Sequence, residues 1–197
     1  MRGGHHEKHG LASFAFAVVA LAVVTAGAAM AKEPSVEGDT LRFQLNDLSG
    51  APVGSDDPRF AGKVLYVTFW GTWCPPCITE IPTLIDLQER YREQGLVIVA
   101  VAFEKEDDAD PRRARLREFV AAREINYLVL DGGQTTKFED AFPSVKNVKG
   151  LPVEMLIDRG GGVVVSRNGY GYKKKWAAKL EKEIQALLRA NEPGRTR

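Results

Sequence analysis

Runs of apolar residues alternate with helix-periodic stretches along most of this chain. KVLYVTFW (63–70) and LVIVAVAF (96–103) contain few polar residues, which is typical of strands buried on both faces of a sheet. TLRFQLND (40–47) alternates apolar and polar positions and predicts a strand with one exposed face. Three further strands are predicted at NYLVLD (126–131), VEMLID (153–158) and VVVSR (163–167).

Helical periodicity fills the intervals between these strands. It predicts one helix from Pro76 to Gln94 with Gly95 as a stop signal, and a second that begins at Pro111 with Asp110 as its cap. A third helix is predicted from Lys173 to Ala190, with an apolar stripe formed by Trp176, Leu180, Ile184 and Leu187. Strands that alternate with amphipathic helices predict an α/β fold, specifically a three-layer α/β/α sandwich around a central mixed sheet.

The N-terminal segment differs from the rest of the chain. No residue from Leu11 to Ala31 is charged, and Ala29-Met30-Ala31 fits the rule for signal-peptide cleavage. The apolar run is also long enough to remain as a membrane anchor. We therefore expect residues 1–31 to be a signal peptide or signal anchor, followed by a linker (32–39), one domain (40–190) and a short tail (191–197), and we expect the domain to lie outside the cytoplasm, in the periplasm or an equivalent compartment.

The composition of the chain bears on which partners and which catalytic chemistries are expected. Without residues 1–31 the chain has equal numbers of basic and acidic side chains, which gives no indication of a nucleic-acid or anionic-membrane partner. His5, His6 and His9, the three histidines of the chain, all lie in the N-terminal segment. Catalysis by Ser/His or Cys/His pairs, and histidine ligation of a metal, are thereby excluded for the mature domain.

The two cysteines, Cys74 and Cys77, stand in WCPPC, between a predicted strand and a predicted helix. A zinc site needs more ligands than two cysteines, and a disulfide that closes so short a loop stabilises a fold little. A redox centre fits the position better, because a helix N-terminus favours the thiolate that performs disulfide exchange. This interpretation makes Cys74 the nucleophile and Cys77 the resolving cysteine, with no other cofactor and no metal.

Pro75 and Pro76 have a further consequence for the thiol chemistry. Prolines are tolerated in the first turn of a helix, but they supply no N–H group to a nearby thiolate. We therefore expect a moderate lowering of the Cys74 pKa, and a reduction potential toward the reducing end of the range from about −270 to −120 mV.

With FWGTWCPPC, TEIP and VKGLPVEMLID in view, the sequence resembles the thioredoxin superfamily, specifically the TlpA/ResA-like thiol–disulfide oxidoreductases. The resemblance covers roughly residues 40–188. It implies a cis peptide bond at Leu151-Pro152 facing the disulfide. It also implies a substrate-binding surface around the redox centre, formed by Trp73, Pro75, Pro76, Leu151 and Pro152.

The chain departs from many thioredoxins at Thr68, where those proteins carry a buried aspartate that assists proton transfer. Two glutamates are candidates for that role. Glu80 lies one helical turn beyond Cys77, and Glu154 is an unexpected charge within a predicted central strand, which a position facing the substrate groove would also explain.

The resemblance implies an extracytoplasmic enzyme that reduces disulfides of exported proteins, such as apocytochromes c during cytochrome c maturation or metal-site assembly factors, with a membrane electron donor upstream. Two alternatives are a thiol peroxidase on the same fold and a non-enzymatic copper-handling module. The first lacks the proline of the P-x-x-x-T-x-x-C pattern, and the second lacks a histidine or a wider cysteine spacing.

Overall fold

The fold is described from a computed structural model, which places residues 33–169 and 175–190. The expected signal segment (1–31), the tail (191–197) and the expected start of the last helix at Lys173 lie outside these residues. Across 33–169 and 175–190, no helix is both long enough and apolar enough to cross a membrane.

Seven strands form one mixed sheet: β2 Gln44–Asp47, β3 Pro52–Gly54, β4 Val64–Trp70, β5 Leu96–Glu104, β6 Leu128–Gln134, β8 Val153–Ile157 and β9 Val163–Asn168. Their order across the sheet is β3-β2-β6-β5-β4-β8-β9. β4, β5 and β6 are parallel, and the pairs on either side of them are antiparallel. The predicted central mixed sheet is confirmed, and its parallel centre is formed by the two most apolar runs of the sequence.

Two short pairings were not predicted. β1 (Ser35–Val36) pairs with β7 (Val145–Lys146), so the expected linker 32–39 contains a strand. β3 pairs with β2 in a stretch for which no strand was predicted. Strands of two or three residues are too short to show a periodicity of two, and β1 also depends on a partner that is distant in sequence.

Helices follow the predicted order with small shifts. The bounds are α1 Pro75–Tyr91, α2 Ala109–Ala122, α3 Phe138–Ala141 and α4 Trp176–Ala190. The expected cap at Asp110 is wrong, because α2 begins two residues earlier with Asp108 at its N-cap. Asp110 lies in the first turn instead, where its carboxylate pairs with Arg113 and favours the helix dipole. The predicted apolar stripe of α4 is correct for Trp176, Leu180 and Ile184. Its fourth buried residue is Leu188, and the predicted Leu187 is only partly buried.

The two faces of the sheet are covered unequally. Alternate residues of β4, such as Tyr66 and Trp70, face α1, α2 and α4. The other face carries a cluster of phenylalanines, including Phe69, Phe103 and Phe142, beneath the N-terminal strands and short helices. The three-layer arrangement therefore has long helices on one face and short turns on the other.

A buried network of polar side chains holds α4 against the sheet. The Glu154 carboxylate on β8 accepts hydrogen bonds from Trp176 Nε1 (2.8 Å), from the Arg167 guanidinium (3.1 Å) and from the Tyr66 hydroxyl (3.3 Å). Arg167 also pairs with Glu183 on α4. Burial raises the pKa of the Glu154 carboxyl, and Arg167 opposes that rise. The ion pair is thus the interaction that permits a charge to lie within this core.

We expect Arg167→Met to destabilise the protein by about 3–5 kcal/mol at neutral pH, because the variant leaves the Glu154 carboxylate buried without its cation. The pKa of Glu154 then rises further above its usual value of 4.5. The native state binds the proton more tightly than the unfolded chain, so stability falls as pH rises through the interval between the two pKa values. The loss of unfolding free energy in Arg167→Met, relative to wild type, should therefore become smaller as pH falls toward 4.5.

Urea unfolding between pH 4.5 and 8 measures this deficit. The control is Arg90→Met, which removes a partly exposed ion pair with Glu181 between α1 and α4 and should cost at most about 1 kcal/mol. Equal losses in the two variants, or a deficit that grows in acid, would contradict the assignment.

Candidate redox site

The two cysteines lie at the start of α1, immediately after the central strand β4. Cys74 is the N-cap residue of the helix and Cys77 lies in its first turn, and their sulfurs form a disulfide with an S–S distance of 2.02 Å. Both residues are buried, in a cluster that includes Trp70 and Ile81. The strand-to-helix position expected from the sequence is confirmed, and the pair is placed where the helix dipole favours a thiolate.

Pro75 and Pro76 occupy the first two positions of α1. Neither has an N–H group, so the first backbone N–H of the helix belongs to Cys77, and the next, on Ile78, donates to the Cys74 carbonyl (3.1 Å). Pro75 is exposed and Pro76 is half-buried. The helix start therefore offers a sulfur fewer donors than one without prolines would.

The peptide bond between Leu151 and Pro152 is cis, as the resemblance implied. Leu151 packs against the cluster that contains both cysteines, while Pro152 is buried and leads into β8. Beside them is a cleft of about 280 Å³. It is lined by Trp73, Phe103, Thr135, Thr136, Phe138, Glu139, Val148, Gly150 and Leu151.

The two tryptophans of the motif have different environments. Trp70 is buried and its ring lies 5.5 Å from that of Phe119, so it belongs to the core. Trp73 is 37% exposed. Its indole Nε1 donates to the Phe103 carbonyl (2.8 Å), and the Lys105 ammonium lies 5.6 Å from the ring centroid. Trp73 thus presents an apolar surface at the cleft, next to Cys74.

A residue that the sequence analysis missed holds this segment in place. The Glu104 carboxylate, at the end of β5, accepts hydrogen bonds from the Thr72 backbone N–H (2.7 Å) and the Thr72 hydroxyl (2.8 Å). Glu104 is 1% exposed. In sequence it reads as the first residue of the acidic run EKEDDAD, and its direct attachment to the buried strand was the signal that separates it from the others.

Glu80 and Glu154, the two candidates for proton transfer, are both buried. Glu80 lies on α1, one turn beyond Cys77. Burial raises the pKa of Tyr66, and the charges of Glu154, which accepts a hydrogen bond from that phenol, and of Glu80 raise it further. Burial also raises the pKa of Tyr127, again with a contribution from Glu80.

Thr68 is the Cα partner of Glu154 across the β4–β8 pairing. The strand position that carries an aspartate in many thioredoxins therefore has a carboxylate beside it, supplied by the neighbouring strand. Both oxygens of Glu154 are already engaged by Trp176, Arg167 and Tyr66. Those contacts account for the charge within β8, and they link it to α4.

The site thus combines a disulfide, a cis-proline and an apolar cleft. The disulfide can take part in dithiol–disulfide exchange, and the cleft can receive part of a polypeptide substrate. Within 33–169 and 175–190, no three His, Cys, Asp or Glu side chains are grouped closely enough to hold a metal ion.

Comparison with known proteins agrees with this chemistry. Residues 36–166 match the sequence profile of the AhpC/TSA family. Thiol-disulfide oxidoreductase ResA of Bacillus thuringiensis subsp. konkukian is 32% identical over 142 residues, which cover 71% of this chain and 73% of that protein. ResA of Bacillus subtilis is 32% identical over 135 residues, with 68% of each chain covered.

A solved structure shows the same fold. A thioredoxin-family thiol:disulfide interchange protein from Chlorobium tepidum superposes with a TM-score of 0.59 at 23% identity, covering 80% of this chain and 98% of that one. The resemblance drawn from WCPPC and GLP is confirmed, and the relatives' names favour disulfide exchange over the peroxidase and copper-handling alternatives. The chain belongs to the AhpC/TSA family of thioredoxin-like proteins and is a thiol–disulfide oxidoreductase.

Proposed function

We propose that this chain is an extracytoplasmic reductase, which passes electrons from a membrane donor to disulfides in exported proteins. The observation that carries the proposal is the Cys74–Cys77 pair, set beside the cis Leu151–Pro152 bond and the apolar cleft in a relative of ResA. The uncharged run from Leu11 to Ala31 supports export, and it would tether the chain to the inner membrane if it is not cleaved.

The proposed substrates are proteins whose cysteines must be reduced before a metal centre or haem is inserted, such as apocytochromes c or copper-site assembly factors. The cleft supports a polypeptide substrate, because Trp73, which precedes Cys74, and Leu151, which packs against the cysteine cluster, both offer it apolar contact. Pro75, exposed next to Cys74, extends the same surface, whereas Pro76 and Pro152 are less accessible and shape it from behind.

In the proposed reaction, the Cys74 thiolate attacks one sulfur of the substrate disulfide, and the other substrate sulfur leaves as a thiolate that takes up a proton. The Cys77 thiolate then attacks Cys74. This step releases the second substrate thiol and closes the Cys74–Cys77 disulfide. Two electrons pass from the enzyme dithiol to the substrate disulfide, and an external dithiol donor must reduce the enzyme for the next cycle.

The reduction potential of the Cys74/Cys77 couple tests the direction of this transfer. We expect a value near the thioredoxin end of the range, about −270 mV, because two prolines at the helix start withhold N–H donors that would stabilise the thiolate. Equilibration with defined thiol/disulfide buffers, followed by trapping of free thiols, measures it. A value near about −120 mV would make the chain a disulfide donor and contradict the proposal.

The roles of the two cysteines are tested by trapping the intermediate. With Cys77→Ser, a mixed disulfide between Cys74 and a disulfide-bearing substrate protein should accumulate, because no resolving thiolate is present. With Cys74→Ser, it should not form. Non-reducing electrophoresis and mass spectrometry detect the adduct. Accumulation in the Cys74→Ser variant instead would reverse the assignment.

Glu80 is proposed to handle the proton of Cys77 during resolution, since it is buried one turn away on the same helix. Glu154 is the second candidate, favoured by its position opposite Thr68. We expect Glu80→Gln to slow resolution of the mixed disulfide by at least about tenfold and to alter its dependence on pH. Glu154→Gln is the matched comparison, and unchanged pH profiles in both variants would remove both residues from the mechanism.

A further inference from the structure

The segment between β4 and α1, Gly71–Trp73, is fastened to the end of β5 by three hydrogen bonds. Two come from Thr72 to the Glu104 carboxylate, and one comes from the Trp73 indole to the Phe103 carbonyl. There is no room for a larger residue at Gly71, where a Cβ atom would stand 2.6 Å from the Phe103 carbonyl oxygen. The two residues that precede Cys74 are therefore positioned by two consecutive residues of the neighbouring strand.

The pairing of β5 with β6 is irregular beside these contacts. Ala102 pairs with Asp131 and Phe103 with Gly133, so Gly132 of β6 is the extra residue of a bulge. Such bulges redirect side chains near functional sites. The buried Glu104 side chain reaches Thr72, in the segment that follows β4, whereas the acidic residues Glu106, Asp107 and Asp108 are exposed.

The burial of Glu104 has an energetic consequence. No arginine, lysine or histidine forms an ion pair with it among residues 33–169 and 175–190. A buried carboxylate without a cation is unfavourable for stability unless hydrogen bonds compensate for its lost hydration. Both of its oxygens accept from Thr72, so those hydrogen bonds bear the compensation.

Glu104 also contacts a second residue that lines the cleft. Its backbone carbonyl accepts a hydrogen bond from the Thr135 hydroxyl (2.9 Å), and Thr135 and Trp73 both line the cleft. One residue is thus joined through its side chain to the segment that precedes Cys74 and through its main chain to Thr135.

We propose that Glu104 is a positioning residue for disulfide exchange: by holding Thr72 it sets Trp73 and Cys74 relative to the cleft that receives the substrate chain. The inference rests on the proposed function and adds to it a residue that touches neither substrate nor sulfur. Its loss should impair reaction with a polypeptide disulfide, which uses the cleft, more than reaction with a small disulfide, which does not.

The test compares two second-order rate constants of the reduced 197-residue chain, one with insulin and one with hydroxyethyl disulfide. For Glu104→Ala we expect the insulin constant to fall by at least about tenfold and the hydroxyethyl disulfide constant by less than about threefold. Glu104→Gln keeps an acceptor for the Thr72 N–H and should stay within about threefold of wild type in both. Thr72→Val should resemble Glu104→Ala in direction, and Thr72→Ser should be close to wild type.

Gln88→Ala is the matched control. The Gln88 side chain is buried and hydrogen-bonds the Leu96 carbonyl and the Ile98 N–H, so it supports the start of β5 as Glu104 supports its end. We expect this variant to lose stability while keeping the wild-type ratio of the two rate constants. A wild-type ratio in Glu104→Ala, or an equal change of ratio in Gln88→Ala, would overturn the inference.

Hydrogen–deuterium exchange of the Thr72 amide separates this inference from the proposed function. Protection in wild type that is lost in Glu104→Ala supports the positioning role even if the wild type reduces neither disulfide, in which case the proposed function alone fails. Rapid exchange of that amide in wild type would refute the positioning role, whatever the activity.

Discussion

The parallel pairing of β4 with β5 determines the geometry of the redox centre. The two strands are in register from Val64 opposite Leu96 to Trp70 opposite Ala102, and their carboxyl ends reach the same edge of the sheet. Cys74 follows one strand and Glu104 ends the other. Because both strands are buried, their relative position is fixed by core packing, and the segment that carries the disulfide is held against a rigid neighbour.

Buried carboxylates recur around this edge, and each is accommodated differently. Glu154 is compensated by a cation, Arg167, and by hydrogen bonds from α4 and β4. Glu104 is compensated by Thr72 alone among the described residues. Glu80, one helical turn beyond the resolving cysteine, contributes through its charge to the raised pKa values of Tyr66 and Tyr127. Buried carboxylates, which are unfavourable for folding, thus recur on the strands and helix next to the cysteines.

The unequal covering of the sheet also bears on function. On one face of the sheet, the cysteine-bearing helix α1 packs in apolar clusters that also include residues of α2 and α4. On the other face, short elements and a phenylalanine cluster leave an opening beside Trp73, and the cleft forms there. The redox centre therefore stands at the boundary between a rigid side and a side made of turns and loops, which is the side that can vary to fit a partner.

Much of this protein was determined by the sequence alone. The apolar runs at 63–70 and 96–103, together with WCPPC, predicted buried strands of a central mixed sheet with the cysteines at a strand-to-helix junction, because periodicity and proline chemistry act locally. The two-residue pairing of Ser35–Val36 was decided only by the tertiary structure, since so short a strand has no pattern of its own. The environment of Glu104 was decided there too: its place directly after the apolar run sets it apart from Glu106, but only the tertiary structure brings Thr72 to its carboxylate.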